Sequence, residues 1–330
     1  MAPSALLAPL TAFLLSHLAL RVLLSARGRG LLLDQPNERS LHTRPVPRSG
    51  GIAIVTGVLA AAVWVRSPLP LVGGVAALLT LSLLDDWRSL PSGLRLVVHL
   101  GVCGAFCTSA LSHLPWPWWI LLALALGWMT NLYNFMDGSD GLAGGMAVVG
   151  FGACAIAASL GGDSALGWWC ASVAASSLAF LLVNFPPARI FMGDSGSVPL
   201  GFLAGAVGLL GWRDGQWPWW FPLAVFAPFV ADASITLLRR ALRRERLWQA
   251  HRDHYYQRLI LLGWSHHRTA IAEYALMAAC AAGALLALGR PPEVQAMLLA
   301  PPAVLLLGGM VAVDRAWAQR RPCAQPERAA

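Results

Sequence analysis

Four polar runs in an otherwise apolar chain carry the side chains that could do chemistry. Adjacent carboxylates stand at 85–86, amides and carboxylates recur through 131–141, a glycine-rich acidic run lies within 184–197, and histidines stand at 251–254. Carboxylate and amide oxygens are ligands for hard cations, whereas glycine-rich turns and cationic side chains bind anions. The four runs together predict a site where a divalent cation meets a phosphate-bearing substrate.

The adjacent carboxylates Asp85 and Asp86 need a cation nearby. They repel each other, and the end of the apolar segment they follow already carries partial negative charge if it is helical. Marking the water interface would account for one carboxylate at this position but not for two. We therefore predict that the pair faces a metal ion or a cationic group.

The run 131–141 resembles a set of metal ligands. Asn131, Asn134 and Asp137 recur at spacings of three, and Asp140 follows in a glycine-containing turn. The first three would share one helical face if the preceding helix continued through them. Such oxygen ligands suit Mg²⁺, with Mn²⁺ as an alternative. Hydrogen bonding between helices would explain one asparagine but not the whole set.

The two remaining runs supply groups that bind anions. Gly193-Asp194-Ser195-Gly196-Ser197 is predicted to begin a helix whose N–H groups and hydroxyls receive a phosphate, with Asp194 as a further metal ligand. His251, His254 and Arg258 would share one face of a helix, and arginine is interleaved with them. This pattern favours donors to a diphosphate over a zinc site.

Membrane-spanning helices must position these runs. The chain is 57% hydrophobic and only 12% charged, whereas soluble domains are about 25% charged. We predict an all-α polytopic membrane protein in a single domain, 1–330, with about eleven helices. The predicted spans are 4–24, 49–65, 69–84, 94–111, 117–134, 141–160, 165–183, 197–212, 217–238, 269–289 and 294–313. The predicted connections on the side of the polar runs are about 25–48, 85–94, 135–141, 184–197 and 239–268, with a tail at 314–330.

The arginines set the orientation of the predicted helices. All 24 basic residues are Arg, and all except Arg21, Arg66, Arg213 and Arg290 lie on the side of the polar runs. By the positive-inside rule this side is cytoplasmic, so the N-terminus is periplasmic and the catalytic face cytoplasmic. The net charge of +8 is then explained by topology and anionic lipid rather than by nucleic acid.

At these four motifs the chain resembles the polyprenyl-phosphate N-acetylhexosamine-1-phosphate transferases, glycosyltransferase family 4, over about residues 34–268. The resemblance implies an all-helical enzyme of the bacterial inner membrane, with a homodimer as a possible assembly. It implies transfer of a sugar-1-phosphate from a UDP-N-acetylhexosamine to undecaprenyl phosphate, with release of UMP. The branch it resembles most is the undecaprenyl-phosphate N-acetylglucosamine-1-phosphate transferases, which start O-antigen, capsule or other surface glycans.

The resemblance also implies roles for individual residues. The acidic pair and Asp137 are expected to be catalytic, with Asp85 as the base toward the lipid phosphate. His251 and His254 match a histidine-rich loop that contacts sugar and diphosphate. The metal ligands are expected to be Asn134 and Asp194, and the substrate-binding residues Asp140, Asn184 and Arg258. The residue types and spacing, rather than the resemblance, add Asn131 and Arg48 to the expected substrate-binding residues.

Two departures from the family pattern bear on the substrate. The peptidoglycan branch carries Pro-Leu-His-His-His in the histidine loop, where residues 251–256 read His-Arg-Asp-His-Tyr-Tyr. The difference favours a surface-glycan enzyme over a phospho-N-acetylmuramoyl-pentapeptide transferase, which stays an alternative together with a non-enzymatic polyprenyl-lipid transporter. The chain also has no Lys, so any cation that the site needs must be Arg44, Arg48, Arg88 or Arg95.

Overall fold

The computed structural model describes residues 3–25, 32–34, 45–65, 67–246 and 251–320, and most of them are helical. Arg44, most of the predicted loop 25–48 and the tail beyond 320 lie outside these ranges. A 3-10 turn, Pro3–Leu6, precedes the first helix, and the strands β1 (Leu33–Asp34) and β2 (Val46–Pro47) pair antiparallel. The helices are α1 (Leu7–Leu23), α2 (Gly50–Ala61), α3 (Leu69–Arg88), α4 (Ser92–Ala110), α5 (Trp116–Phe135), α6 (Leu142–Gly161), α7 (Ser164–Asn184), α8 (Asp194–Arg213), α9 (Trp220–Val225), α10 (Ala227–Leu242), α11 (Tyr255–Leu261), α12 (His266–Ala287) and α13 (Pro292–Gln319).

The helices confirm an all-α polytopic membrane protein. Within the described ranges, seven helices are long and apolar enough to cross a bilayer: α3, α4, α6, α7, α8, α12 and α13. Helices α1 and α2 are apolar but shorter. The count of eleven spans and the periplasmic N-terminus remain predictions.

The predicted ninth span, 217–238, is not one helix. It is divided at Phe226 into α9 and α10, and Pro228 lies in the first turn of α10. Proline has no N–H to donate and its ring clashes with the carbonyl four residues earlier, so it kinks or breaks a helix, and here the helix breaks. The break shortens α10 but leaves its polar end close to the histidine loop.

Helix ends reach further into the polar runs than the sequence predicted. Helix α3 continues through both adjacent carboxylates, and α4 begins at Ser92, so the predicted loop 85–94 contracts to a turn at 89–91. Ser89 takes a left-handed conformation there, and its N–H donates to the carbonyl of Asp85. Asp194 is likewise the first residue of α8 rather than a loop residue. The site therefore consists largely of helix ends.

Helix α8 lies at the centre of the bundle, packed against α2, α3 and α5. A Cβ on Gly201 would lie 2.8 Å from the carbonyl oxygen of Met129, and one on Gly205 would lie 2.5 Å from Leu126. The two glycines therefore allow α8 and α5 to pack closely, since small residues permit such approach in membrane proteins. The same packing aligns the polar end of α5 with that of α8.

Gly51 marks the closest approach between α2 and α8, and replacing it is expected to destabilise the protein. A Cβ there would lie 2.1 Å from the backbone nitrogen of Gly196, which no side-chain rotation can relieve. We expect Gly51→Ala to lower the free energy of unfolding by about 1–3 kcal/mol. Thermal unfolding of detergent-purified protein measures the change.

The matched control is Gly73→Ala in α3, where an added Cβ would meet nothing within 4 Å. An alanine in an open helical position stabilises by about 0.5–1 kcal/mol relative to glycine. Equal melting temperatures for the two variants would contradict the crowding argument.

Candidate active site

The polar runs meet where the ends of four helices converge. Helices α3 and α5 end there, and α4 and α8 begin there. Helix α4 packs against α3 and α5, and α8 packs against the same two helices. Asp85 and Asp86 lie on the last turn of α3, and Asp194 lies on the first turn of α8. Tight helix packing thus places carboxylates from distant parts of the chain at one end of the bundle.

Arg95, on the first turn of α4, joins carboxylates from two other helices. Its Nη1 lies 2.8 Å from Oδ2 of Asp85 and 3.3 Å from Oδ2 of Asp194. The other oxygen of Asp85 accepts a hydrogen bond of 2.7 Å from the backbone N–H of Leu90. Both oxygens of Asp85 are therefore occupied, and its role as a base remains a prediction.

Arg48 forms the second ion pair, at 2.8 Å from Oδ1 of Asp86. The other oxygen of Asp86, Oδ2, is buried and has no hydrogen-bond partner among the described residues. Backbone hydrogen bonds fix the segment that carries Arg48: the N–H of Gly50 donates to the carbonyl of Phe191, and the N–H of Phe191 donates to that of Pro47. The arginine that the sequence assigned to substrate thus neutralises half of the acidic pair.

Asn134, Asp137 and Asp194 come together beside these ion pairs. The hydroxyl of Ser197 donates to Oδ1 of Asn134 at 2.5 Å. Desolvation raises the pKa of the Asp137 carboxyl well above its usual range, the charge of Asp194 raises it further, and a hydrogen bond from the Gly193 N–H opposes both. Two of the three residues are the predicted metal ligands.

The single helical face predicted for 131–137 is wrong at its last member. Helix α5 ends at Phe135, and Asp137 follows in a turn in which its N–H donates to the carbonyl of Asn134. Asn131 lies one turn deeper, and its side-chain nitrogen donates to the carbonyl of Gly127 at 2.7 Å. Its predicted contact with substrate stays a prediction.

The donor set is compatible with a hydrated Mg²⁺. Among the residues that the structure describes, no three His, Cys, Asp or Glu side chains are grouped to hold an ion by themselves. Mg²⁺ usually takes one or two carboxylates and completes its shell with water and phosphate oxygens. A cation would satisfy the unpaired Oδ2 of Asp86 and favour ionisation of the desolvated Asp137.

Asp140 and Asn184 tie the turn after α5 to the loop after α7. Oδ2 of Asp140 accepts from the backbone N–H of Ala188 at 3.0 Å. The Asn184 side chain accepts from the N–H of Gly141 at 2.9 Å and donates to the carbonyl of Ile190 at 2.8 Å. Both were predicted to bind substrate, and here they hold backbone in place, so that role remains a prediction.

The histidine loop is held by a buried carboxylate. Helix α11 begins only at Tyr255, so His251, His254 and Arg258 do not share one helical face as predicted. Nδ1 of His254 lies 3.0 Å from Oδ1 of Asp232, and this carboxylate also accepts the backbone N–H groups of Tyr255 and Tyr256. Asp232 therefore sets the orientation of His254.

Phe135, the last residue of α5, joins the histidine loop to the acidic residues. Its ring stacks on His254 with 6.2 Å between centroids, and its carbonyl accepts the hydroxyl of Tyr256 at 3.1 Å. The preceding residue is Asn134. The loop therefore contacts the same helix end that carries the predicted metal ligand.

Arg258 has a different environment from the one predicted. Its Nη1 donates to Oδ1 of Asp314 on α13 at 3.0 Å, and its guanidinium lies over the rings of Tyr255 and Trp317. The residue is only 5% exposed. Its predicted contact with a diphosphate remains a prediction.

Comparison with known proteins agrees with this geometry. The sequence profile described as glycosyl transferase family 4 matches residues 69–211. The chain is 30% identical over 262 residues to a probable undecaprenyl-phosphate N-acetylglucosaminyl 1-phosphate transferase of Bacillus subtilis (strain 168), covering 73% of each chain. The chain belongs to glycosyl transferase family 4.

Two further relatives carry different names within the family. A decaprenyl-phosphate N-acetylglucosaminephosphotransferase of Mycolicibacterium smegmatis is 29% identical over 319 residues, which cover 80% of this chain and 77% of that one. A phospho-N-acetylmuramoyl-pentapeptide-transferase of Synechococcus elongatus is 31% identical over 219 residues, 56% of this chain and 58% of that one. Membership of glycosyl transferase family 4 therefore leaves the donor sugar open.

The part of the chain that matches the profile of glycosyl transferase family 4 ends before the histidine loop. The stretch 69–211 includes the acidic pair, Asn134, Asp137 and Asp194, whereas Asp232 and the loop lie after it. Asp232 lies inside the predicted span 217–238 and outside the four polar runs. An ionisable residue in such a segment is expensive, which by itself indicates function.

His251 is expected to make stability depend on pH. Desolvation, reinforced by His254 and Arg240 and opposed by Asp253 and Asp232, lowers the pKa of His251 to about 4. Between this value and the ordinary one near 6.5, the unfolded chain binds more protons than the folded chain, so stability falls as the pH falls through that window. We expect His251→Gln to reduce the loss of Tm between pH 6.5 and 4.

The test is a series of melting curves across this range for both proteins. A pH dependence of Tm that is unchanged in His251→Gln would contradict the assignment.

Proposed function

We propose that the chain transfers an N-acetylhexosamine-1-phosphate from a UDP-sugar to undecaprenyl phosphate and thereby starts a surface glycan. As a member of glycosyl transferase family 4, it is a multi-pass membrane transferase. The observation that carries the proposal is an acidic cluster at one end of the bundle, formed by Asp85, Asp86, Asp137 and Asp194 at the ends of α3, α5 and α8. Arg95 bridges two of its members, Asp85 and Asp194. We place this end at the cytoplasmic face of the bacterial inner membrane, because most arginines lie there.

The reaction requires phosphoryl transfer between two anions. An oxygen of the lipid phosphate attacks the β-phosphorus of the UDP-sugar, and the bond from that phosphorus to the oxygen it shares with the α-phosphorus breaks. UMP leaves, and the sugar remains on a polyprenyl diphosphate. Positioning and neutralisation of charge supply most of the catalysis in such transfers.

Asn134 and Asp194 would hold a Mg²⁺, with Mn²⁺ as the alternative ion. Such an ion would neutralise charge on the diphosphate. Helix α8 begins at Asp194, and the buried hydroxyl of Ser195 in its first turn has no hydrogen-bond partner among the described residues. A helix N-terminus of this kind suits a phosphate.

The arginines Arg48 and Arg95 have a specific part in this proposal. Both are paired with carboxylates here, at 2.8 Å, and guanidinium groups bind phosphate oxygens in the same geometry as carboxylates. We propose that they exchange a carboxylate for the phosphate of the acceptor when it binds. The carboxylates so released become available to the cation or to a proton.

The decisive experiment measures UMP release by detergent-purified protein with undecaprenyl phosphate, Mg²⁺ and a panel of UDP-N-acetylhexosamines. We expect turnover with one donor and its loss in EDTA. No release from any donor by folded protein would count against the proposal, and movement of lipid across liposomes without nucleotide turnover would support a transporter instead.

One comparison supports a second candidate donor. The Synechococcus elongatus relative is a phospho-N-acetylmuramoyl-pentapeptide-transferase, so UDP-N-acetylmuramoyl-pentapeptide belongs in the panel. The histidine loop of this chain contains Arg252 and Asp253 between its two histidines, which favours the surface-glycan reaction. Turnover of the pentapeptide donor in preference to UDP-N-acetylglucosamine would favour the peptidoglycan reaction instead.

A further inference from the structure

Asp314, near the end of α13, accepts hydrogen bonds from two other helices. Its Oδ1 lies 2.7 Å from Nη1 of Arg239 on α10 and 3.0 Å from Nη1 of Arg258 on α11. Its Oδ2 accepts the hydroxyl of Tyr255 at 3.1 Å. One carboxylate thus joins the last helix to both elements that flank the histidine loop.

Two further contacts join the end of α13 and the residue after it to α11. Trp317 lies one turn beyond Asp314, and the guanidinium of Arg258 packs over the Trp317 ring, 5.8 Å from the ring centroid. Arg320, just after the helix, donates to the carbonyl of Leu261, the last residue of α11. Elsewhere α13 packs against α12, and most of its surface is exposed. Its polar end is therefore the part that bears on the candidate site.

Helix α11 transmits this attachment to the histidines. His254 immediately precedes its first residue, and the N–H of His254 donates to Oε1 of Gln257 within the helix at 3.3 Å. His254 in turn stacks on Phe135 at the end of α5. The seven-residue helix α11 thus connects the contact at Asp314 to the ring of His254.

We infer that Asp314 is a positioning residue, which fixes the histidine loop against the acidic cluster by holding α11 to the last helix. Loss of Asp314 would act through Arg258, which is only 5% exposed. Without Asp314, its guanidinium would be a buried cation with no carboxylate partner. To regain water, the helix must move outward and take the histidines with it. The consequence for donor binding rests on the proposed function, whereas the attachment itself does not.

The test compares Asp314→Ala with the matched variant Asp214→Asn. Asp214 also pairs with an arginine at a helix end, 2.6 Å from Arg213, and its side chain is similarly exposed, 34% against 28%. Asp314→Asn, which keeps the shape of the side chain, replaces Asp314→Ala if the alanine variant does not fold. UMP release, Tm and cleavage by trypsin after Arg258 are measured for each.

We expect Asp314→Ala to raise KM for the UDP-sugar about tenfold, a typical loss for groups that orient a functional residue, while KM for undecaprenyl phosphate stays unchanged. Trypsin should cleave after Arg258 about tenfold faster, because proteolysis follows the population of the opened segment. Asp214→Asn should change neither the KM for the UDP-sugar nor the rate of cleavage after Arg258, and its Tm should equal that of the wild type.

Tyr255→Phe, which removes one of the three donors to Asp314, should shift both quantities in the same direction by a smaller factor. It should add little to Asp314→Ala, because the two residues act through one contact.

Unchanged donor KM and unchanged cleavage in folded Asp314→Ala would overturn the inference. So would a general fall in Tm in which both KM values change together, since that would make the contact a part of the fold alone. If the wild-type protein releases no UMP from any donor, the proposed function fails, and the rate of cleavage after Arg258 still decides whether Asp314 holds α11.

Discussion

Asp194→Ala is expected to lower the rate of UMP release by about 10³-fold, the loss that corresponds to several kcal/mol of stabilisation by a bound cation. Asp194 is ion-paired with Arg95, and its charge acts on Asp137. Removing its carboxylate takes away one of the two proposed Mg²⁺ ligands. We expect saturating Mg²⁺ to leave most of this loss uncorrected.

The fold is expected to survive this substitution. Ser82 donates to the backbone carbonyl of Asp194, not to its side chain, and Arg95 keeps its second partner, Asp85. An unchanged Tm with lost activity would therefore separate a role in catalysis from a role in folding.

Asp163→Ala provides the control for Asp194→Ala. Asp163 caps the start of α7, where its side chain accepts the N–H of Leu166 at 3.0 Å, at the opposite end of the bundle. Its loss should cost about 1 kcal/mol of stability and leave the rate of UMP release unchanged. Activity of Asp194→Ala near that of the wild type at saturating Mg²⁺ would remove Asp194 from the proposed metal ligands.

The sequence predicted the parts of the site that follow from local pattern. Asp85, Asp194 and Asn134 each stand at the edge of an apolar segment, so hydropathy alone places them at helix ends. These inferences need only neighbouring residues, which is why they could be made.

The sequence could not predict which partners these residues would find. Arg95 was one of four interchangeable arginines until the packing of α4 beside α3 and α8 placed its guanidinium between Asp85 and Asp194. The arginine at 258 has a spacing that suits a helical face with the histidines, but the helix begins after His254. Such pairings depend on how distant helices dock, and no local pattern specifies that.

Asp232→Asn is expected to lower UMP release by about 10²-fold, at the upper end of the losses seen when a group that orients a functional residue is replaced. Asp232 is buried, and its two oxygens accept from His254, from two backbone N–H groups and from the hydroxyl of Thr236 at 3.2 Å. An asparagine has nearly the same shape but only one acceptor oxygen, and its NH₂ group would face N–H donors. His254 would then lose the partner that fixes its ring and its tautomer.

A variant of a neighbouring donor to Asp232 and a double substitution separate the loss of the His254 contact from general destabilisation. Thr236→Val removes a donor to Asp232 without touching His254, and we expect its rate of UMP release to stay close to that of the wild type. In a His254→Ala background, Asp232→Asn should cost little more, because both changes remove the same interaction. If the two losses multiply instead, Asp232 acts independently of His254, and its carboxylate must serve the reaction or the fold in another way.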